Sequence, residues 1–231
     1  MAGQWVAGVD GAQKGWVVAC IPITGSGQAS LTRCETFEEV KATVAELGCT
    51  SVGVDMPIGV KLSGSRELDS EARKRLGARR SSLFPTPSSV VLEATSYEDA
   101  LKRSRNQIGK GLSIQTWNLV PQIREVRSII KPEDSETFFE CHPESSFVEL
   151  VGETLTSKKT PEGVKQRLDA IRKFVPTIDR VVKKLPKKCR MDDALDAFAA
   201  AWSARRFSEG EAIILGGNEY DEQGYPLRIV I

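Results

Sequence analysis

"WVAGVDGAQKGW", residues 5–16, closes an apolar run on Asp10 and then sets Gly11 and Gly15 around Ala-Gln-Lys. The run reads as a strand over Trp5–Asp10 and the glycine-flanked segment as a hairpin turn, because glycine punctuating apolar stretches is the local signature of turn and strand. A second run, Trp16–Ile21, and a third, Ala29–Arg33, follow at turn-sized intervals and predict a three-stranded meander. "TFEE" at 36–39 then supplies a capping box, Thr36 with Glu39, and Gly48 stands where the helix it starts would stop. That helix returns the chain for "SVGVDMP", 51–57, near-continuously apolar as a strand buried on both faces must be and ended by Pro57. A strand reached through a crossover helix lies parallel to its neighbour, here the first strand. Asp10 and Asp55 then stand side by side at the carboxyl ends of adjacent strands.

Such a pair is electrostatically unfavourable. A buried carboxylate costs on the order of several kcal/mol unless it is paired, and two that face each other repel. A divalent cation between them removes both penalties. Hard cations take oxygen ligands, so Mg²⁺ or Mn²⁺ suits a chain with one histidine and no clustered cysteines.

Two further segments bring acids toward the same place. In "MDDALDAFAAAWSARR", 191–206, Asp193, Asp196, Ala197 and Ala200 share one helix face, with Leu195, Phe198, Ala199 and Trp202 opposite. The alanine side is able to lie close to a sheet and deliver two carboxylates at its tip. First-turn acids such as Asp192 and Asp193 also suit a helix N-terminus on dipole grounds alone, whereas Asp196 lies a full turn too deep for capping. "FFECHPESS", from 138, adds Glu140, Glu144 and His142, the only histidine, at the end of a fifth strand predicted over 137–141.

The remaining chain is mostly helical. Helices are expected over Glu67–Leu76, Tyr97–Ile108 with Ser96 and Asp99 as a capping box, and Ile114–Ile130 with a kink or break at Pro121. "GARRSSLFPTPSSVV" between them is too rich in Pro and Ser for a helix. Another helix starts at Thr160–Pro161, and Ala212–Leu215 and Leu227–Ile231 read as edge strands. With 231 residues, 40% of them hydrophobic, and no repeat or linker, the chain is read as one domain over 1–231, with a helical insertion over about 60–135. Lys and Arg number 32 against 31 Asp and Glu, so any attraction for phosphate must be local. No stretch approaches the ~20 apolar residues of a membrane span, and no secretory signal follows Met1, which points to the cytoplasm. The five cysteines are odd in number and scattered, and read as small buried thiols.

"VAGVDGAQKGWVVA", "VGVDMPIGV", "RRSSLFPTPS", "GKGLSIQTWNLVPQIREV", "FFECHPESSF", "SKKTPEG" and "DDALDAFAAAW" together resemble the motif series of domain-of-unknown-function family 429. That resemblance implies a predicted nuclease of RNase H-like fold: an α/β architecture with a mixed five-stranded sheet flanked by helices and a helical insertion between strands 4 and 5. In outline the chain is also similar to RuvC-type resolvases, which pair a first-strand Asp, a fourth-strand acid and two terminal-helix acids. Carried over by position, Asp10, Asp55, Asp193 and Asp196 become the metal ligands and catalytic acids; Glu140 and His142 lie outside that template and stand as further catalytic candidates. Metal-dependent hydrolysis of phosphodiesters by a two-metal-ion mechanism is the expected activity, with nucleic acid as partner.

Basic clusters offer phosphate contacts. "ARRSS" places Arg79 and Arg80 beside Ser81 and Ser82 as a fork-and-hydroxyl cradle, and Lys14 of the first turn is a further substrate-binding candidate. Two other classes fit the opening strand. An actin-like or sugar-kinase-like phosphotransferase also begins with strand-Asp-Gly, but "LGGN" at 215–218 matches its later glycine pair poorly. A non-catalytic binding protein of the same fold would not need its carboxylates intact.

Overall fold

The computed structural model describes residues 4–231. Strand β1 (Trp5–Ala12) pairs antiparallel with β2 (Gly15–Pro22) through the turn Gln13–Lys14, and β3 (Ser30–Cys34) continues the meander on β2. Lys14 adopts φ 54°, and Arg33 fastens the turn by donating to its carbonyl at 2.8 Å. Helix α1 (Phe37–Glu46) is capped by Thr36, which accepts from the Glu39 amide, while the Glu39 carboxylate accepts from the Glu35 amide rather than from Thr36. It leads to β4 (Cys49–Val54), parallel to β1, and β5 (Phe138–Glu140) lies parallel to β4. The sheet order is β3-β2-β1-β4-β5. This mixed five-stranded sheet flanked by helices is consistent with an RNase H-like arrangement.

Side chains alternate across the sheet with period two, which decides where the acids point. Ala7, Val9, Val18, Val52 and Val54 face α1 and α5 (Ile114–Ile129). Val6, Val17, Ala19 and Phe139 face the other layer, built on α6 (Pro143–Val151), α7 (Pro161–Arg172) and α9 (Met191–Glu209). Asp10 shares parity with Val6 and Gly8, and Asp55 with Gly53, so both emerge on the α9 side. There α9 sits directly on the backbone. A Cβ on Gly8 would lie 2.1 Å from the Ala197 carbonyl oxygen and the Ala201 nitrogen, and one on Gly53 would lie 2.7 Å from the Ala200 oxygen. Glycine in the strands and alanine on the helix permit this approach, and it carries Asp196 to the strand ends.

Between β4 and β5 the chain forms α2 (Glu67–Leu76), a 3₁₀ turn over 77–82, a short α3 (Ser89–Leu92), α4 (Tyr97–Ile108), α5 and a second 3₁₀ turn, Pro132–Asp134. Four details depart from the sequence reading. Helix α5 is one element through Pro121, held by its apolar face of Val120, Ile123 and Val126 against the sheet and the insertion. The Pro- and Ser-rich stretch is partly helical, in the 3₁₀ turn and α3. Helices α6 and α8 (Ile178–Val182) were not foreseen, although His142 as N-cap and Pro143 at the first position are start signals for α6. At the C-terminus β6 (Ile214–Tyr220) and β7 (Pro226–Val230) pair with each other instead of edging the main sheet, touching it through a bridge between Cys141 and Val230. No helix among the described residues is long and apolar enough to cross a membrane.

Candidate metal centre

Asp10, Asp55 and Asp196 converge. Each offers a carboxylate oxygen, and these oxygens lie within 4.8 Å of one another. Parallel pairing sets the first two: the Asp55 amide donates to the Val9 carbonyl at 2.8 Å, one step beyond the last register pair, Val9 with Val54. The close seat of α9 brings the third. Burial drives all three toward the protonated form; repulsion from the neighbouring aspartates adds to it at Asp10 and Asp55, while Lys158 works against it at Asp196. Asp10 is raised well above the ordinary carboxylate range, Asp55 is raised to about 7 and Asp196 to about 6.

Lys158 is the cation nearest the cluster, and its Nζ forms an ion pair with Asp196 Oδ2. Its loop is held from below. Gly163 lets Ser157 press onto the first turn of α7, where a Cβ would lie 2.0 Å from the Ser157 oxygen. Fully buried Arg167 donates to the carbonyls of Thr156 and Gly163, each at 2.9 Å, and clamps Glu144 with bonds of 2.7 and 2.8 Å. Glu144 therefore positions the loop that presents Lys158.

Glu140 is likewise a builder. Its carboxylate accepts two bonds of 2.6 Å from Arg66, which also donates to Asp69, and Asp69 accepts from the Thr86 amide at 3.2 Å. All three of these charged side chains are buried. The chain Glu140–Arg66–Asp69–Thr86 thus ties the end of β5 to the Pro-rich loop. A cleft of about 380 Å³ opens between these elements, with Asp55, Asp196, Lys158, Lys159, Arg79, Ser82, Phe84 and His142 on its walls.

The donor set fits a hard divalent cation. It is all oxygen, the three carboxylates crowd together at a cost that a dication would remove, and Asp196 Oδ1 is buried without a hydrogen-bond partner. An orphaned buried acceptor costs about 1–3 kcal/mol, more when charged, and a metal–oxygen bond would satisfy it.

A family model described as "Protein of unknown function (DUF429)" matches residues 8–221. The chain belongs to the DUF429 family. Neither the curated proteins nor the solved structures contain a match to it.

In this DUF429 chain the remaining site candidates lie elsewhere or do other work. Asp193 is not among the converging carboxylates. It accepts from the Arg190 amide at 2.9 Å and pairs with that guanidinium, the capping role that first-turn acids favour. His142 caps α6, its Nδ1 accepting from the Ser145 amide at 3.3 Å and bonding the Ser145 hydroxyl at 2.9 Å. Burial lowers its pKa to about 4, so the ring is neutral. Arg79 reaches the cleft but leans on Glu144 at 3.6 Å, and the Ser82 hydroxyl donates to the Arg79 carbonyl at 2.8 Å. Arg80 and Ser81 are exposed outside the cleft lining, so the fork-and-hydroxyl cradle does not form as a unit. Lys14 lies at a different opening, with Gly15, Glu35 and Gln122. Lys158 was missed as a site residue, although "SKKTPEG" stood among the family motifs.

Proposed function

We propose that this protein is a metal-dependent phosphodiester hydrolase acting on nucleic acid or its fragments. The observation that carries the reading is the convergence of Asp10, Asp55 and Asp196 within 4.8 Å. These residues would hold Mg²⁺ or Mn²⁺. Bound there, the metal supplies a water of lowered pKa and neutralises charge on the phosphoryl oxygens.

The chain's own residues do the rest. Asp55 and Asp196 set two acidic groups in a cleft that also carries Lys158, Lys159 and Arg79, and Asp10 adjoins them. Lys158, on a braced loop, places an ammonium within reach of both Asp196 and any anion entering the cleft. Lys159 and Arg79 add further positive groups to the lining. Neutral His142 holds the start of α6 and is not a proton donor near neutral pH, given its pKa of about 4.

Isothermal titration with Mg²⁺ and Mn²⁺, beside hydrolysis of bis(p-nitrophenyl) phosphate, tests this reading. Metal-dependent hydrolysis that disappears in Asp10→Asn and Asp196→Asn is the expected result. Absence of hydrolysis with either metal, or ATP turnover in its place, would overturn it.

A further inference from the structure

Phe84 is a bulky apolar side chain left 44% exposed, yet its backbone is fixed from both sides. On one side Leu83 is buried in a small core, and its carbonyl accepts from Arg73 at 3.1 and 3.2 Å. On the other, the Thr86 amide donates to Asp69, which the buried Arg66–Glu140 pair holds in place. A buried ionic network that ends by fixing the loop beneath an exposed aromatic ring is an expensive arrangement for a mere surface residue. The ring lines the cleft that contains Asp55 and Asp196, with Met56, Pro57 and Leu119 supplying further apolar wall. Lys158, Lys159 and Arg79 also line it, and the lining carboxylates Glu140 and Glu144 are already paired with Arg66 and Arg167, so the same space offers an apolar face and a set of cations.

That pairing matches a molecule with one flat π-face and one phosphate. The volume, about 380 Å³, falls at the small end of the range of roughly 300–1,000 Å³ for small-molecule pockets. That space is on the scale of one nucleotide unit. We propose that the cleft is a one-nucleotide pocket, in which an unpaired base stacks on Phe84 while its phosphate lies between the acidic triad and Lys158, Lys159 and Arg79. The inference rests on the phosphodiesterase reading above and narrows it: the substrate is an unpaired nucleotide, whether in a single strand or in a small diester, and paired nucleotides of a duplex are excluded.

Calorimetric titration of the full chain in Mg²⁺ with thymidine 5′-monophosphate, deoxyribose 5-phosphate and inorganic phosphate tests it directly. Thymidine 5′-monophosphate is expected to bind roughly 5- to 150-fold more tightly than deoxyribose 5-phosphate, the worth of one base–aromatic stack. Phe84→Ala should erase that difference and Phe84→Trp should keep it, with both melting like the wild type because the side chain is half exposed. A 12-nucleotide single strand should displace the mononucleotide at concentrations where the blunt 12-base-pair duplex does not. Equal affinity for the base-bearing and base-free phosphates, or a Phe84→Ala variant that still discriminates between them, would overturn the pocket even if bis(p-nitrophenyl) phosphate is hydrolysed. Base-dependent binding without hydrolysis of that ester would keep the pocket and overturn the hydrolase.

Discussion

Asp10 is the residue on which the centre turns. It is buried, faces two other carboxylates, and its folded-state proton affinity is raised by both conditions. Asp10→Asn keeps the shape and removes a charge. Without metal this variant should be at least as stable as the wild type; a gain of roughly 1 kcal/mol would appear as about 2–4 °C in melting temperature for a chain of this size. Mg²⁺ should stabilise the wild type and leave the variant unmoved. Lys158 predicts the reverse pattern. Lys158→Met strips Asp196 of its partner and should lower metal-free stability by about 1–3 kcal/mol, less than for a fully buried pair because Nζ is partly solvated. It should also tighten Mg²⁺ binding roughly tenfold, since no internal cation then competes for the carboxylate. Calorimetry on this variant showing weaker metal binding would mean that Lys158 supports the site instead of competing for it.

Among the elements, α9 and the two strands beneath it set the spacing of the site. Gly8→Ala would force a methyl into the backbone of Ala197 and Ala201. Such overpacking typically costs about 1–3 kcal/mol, and here it should also pull Asp196 away from Asp10. A lowered thermal midpoint together with lost Mg²⁺ binding is expected, and a variant that melts early yet binds metal normally would detach the site from this contact. The sheet and its acids were legible because their signals are local: apolar runs, glycine turns and a capping box fix β1 to β4, and Asp196 lies too deep in α9 to be a cap. Asp193, one turn earlier, carries the same chemistry but falls at the capping position, and its dipole-favoured role prevailed. Lys158 was not legible, because what brings it to Asp196 is the clamp of Arg167 on Glu144, residues far apart in sequence that a reading along the chain cannot join. Glu140 was singled out for its charge, and the buried partner that absorbs it, Arg66, lies 74 positions away.

At the scale of the whole molecule the buried acids control how stability varies with pH. Unfolded aspartates titrate near 3.9, whereas Asp55 and Asp196 titrate at about 7 and about 6 and Asp10 is raised further in the same direction. The folded chain therefore binds more protons than the unfolded chain across this interval, and metal-free stability should fall as pH rises from about 5 to about 8. His142 acts in the opposite sense: its pKa is lowered from 6.5 to about 4, so the unfolded chain holds the extra proton between those values and this one group offsets part of the fall that the three carboxylates cause below pH 6.5. Thermal melts at a series of pH values should show the decline, a shallower one in Asp10→Asn, and its reversal by saturating Mg²⁺. A flat or rising metal-free profile would contradict the burial of charge at this site.

The ion pair between Lys158 and Asp196 bears on the order in which the protein matures. A cluster of naked carboxylates would make folding wait for a metal, as it does in domains whose ligands cannot be brought together without one. Here the chain carries its own provisional counter-ion on a braced loop, and protons on the remaining acids complete the neutralisation. The polypeptide is thus able to reach its final form without a divalent ion, and any ion that binds there would join a finished structure by reversible exchange with the surrounding pool.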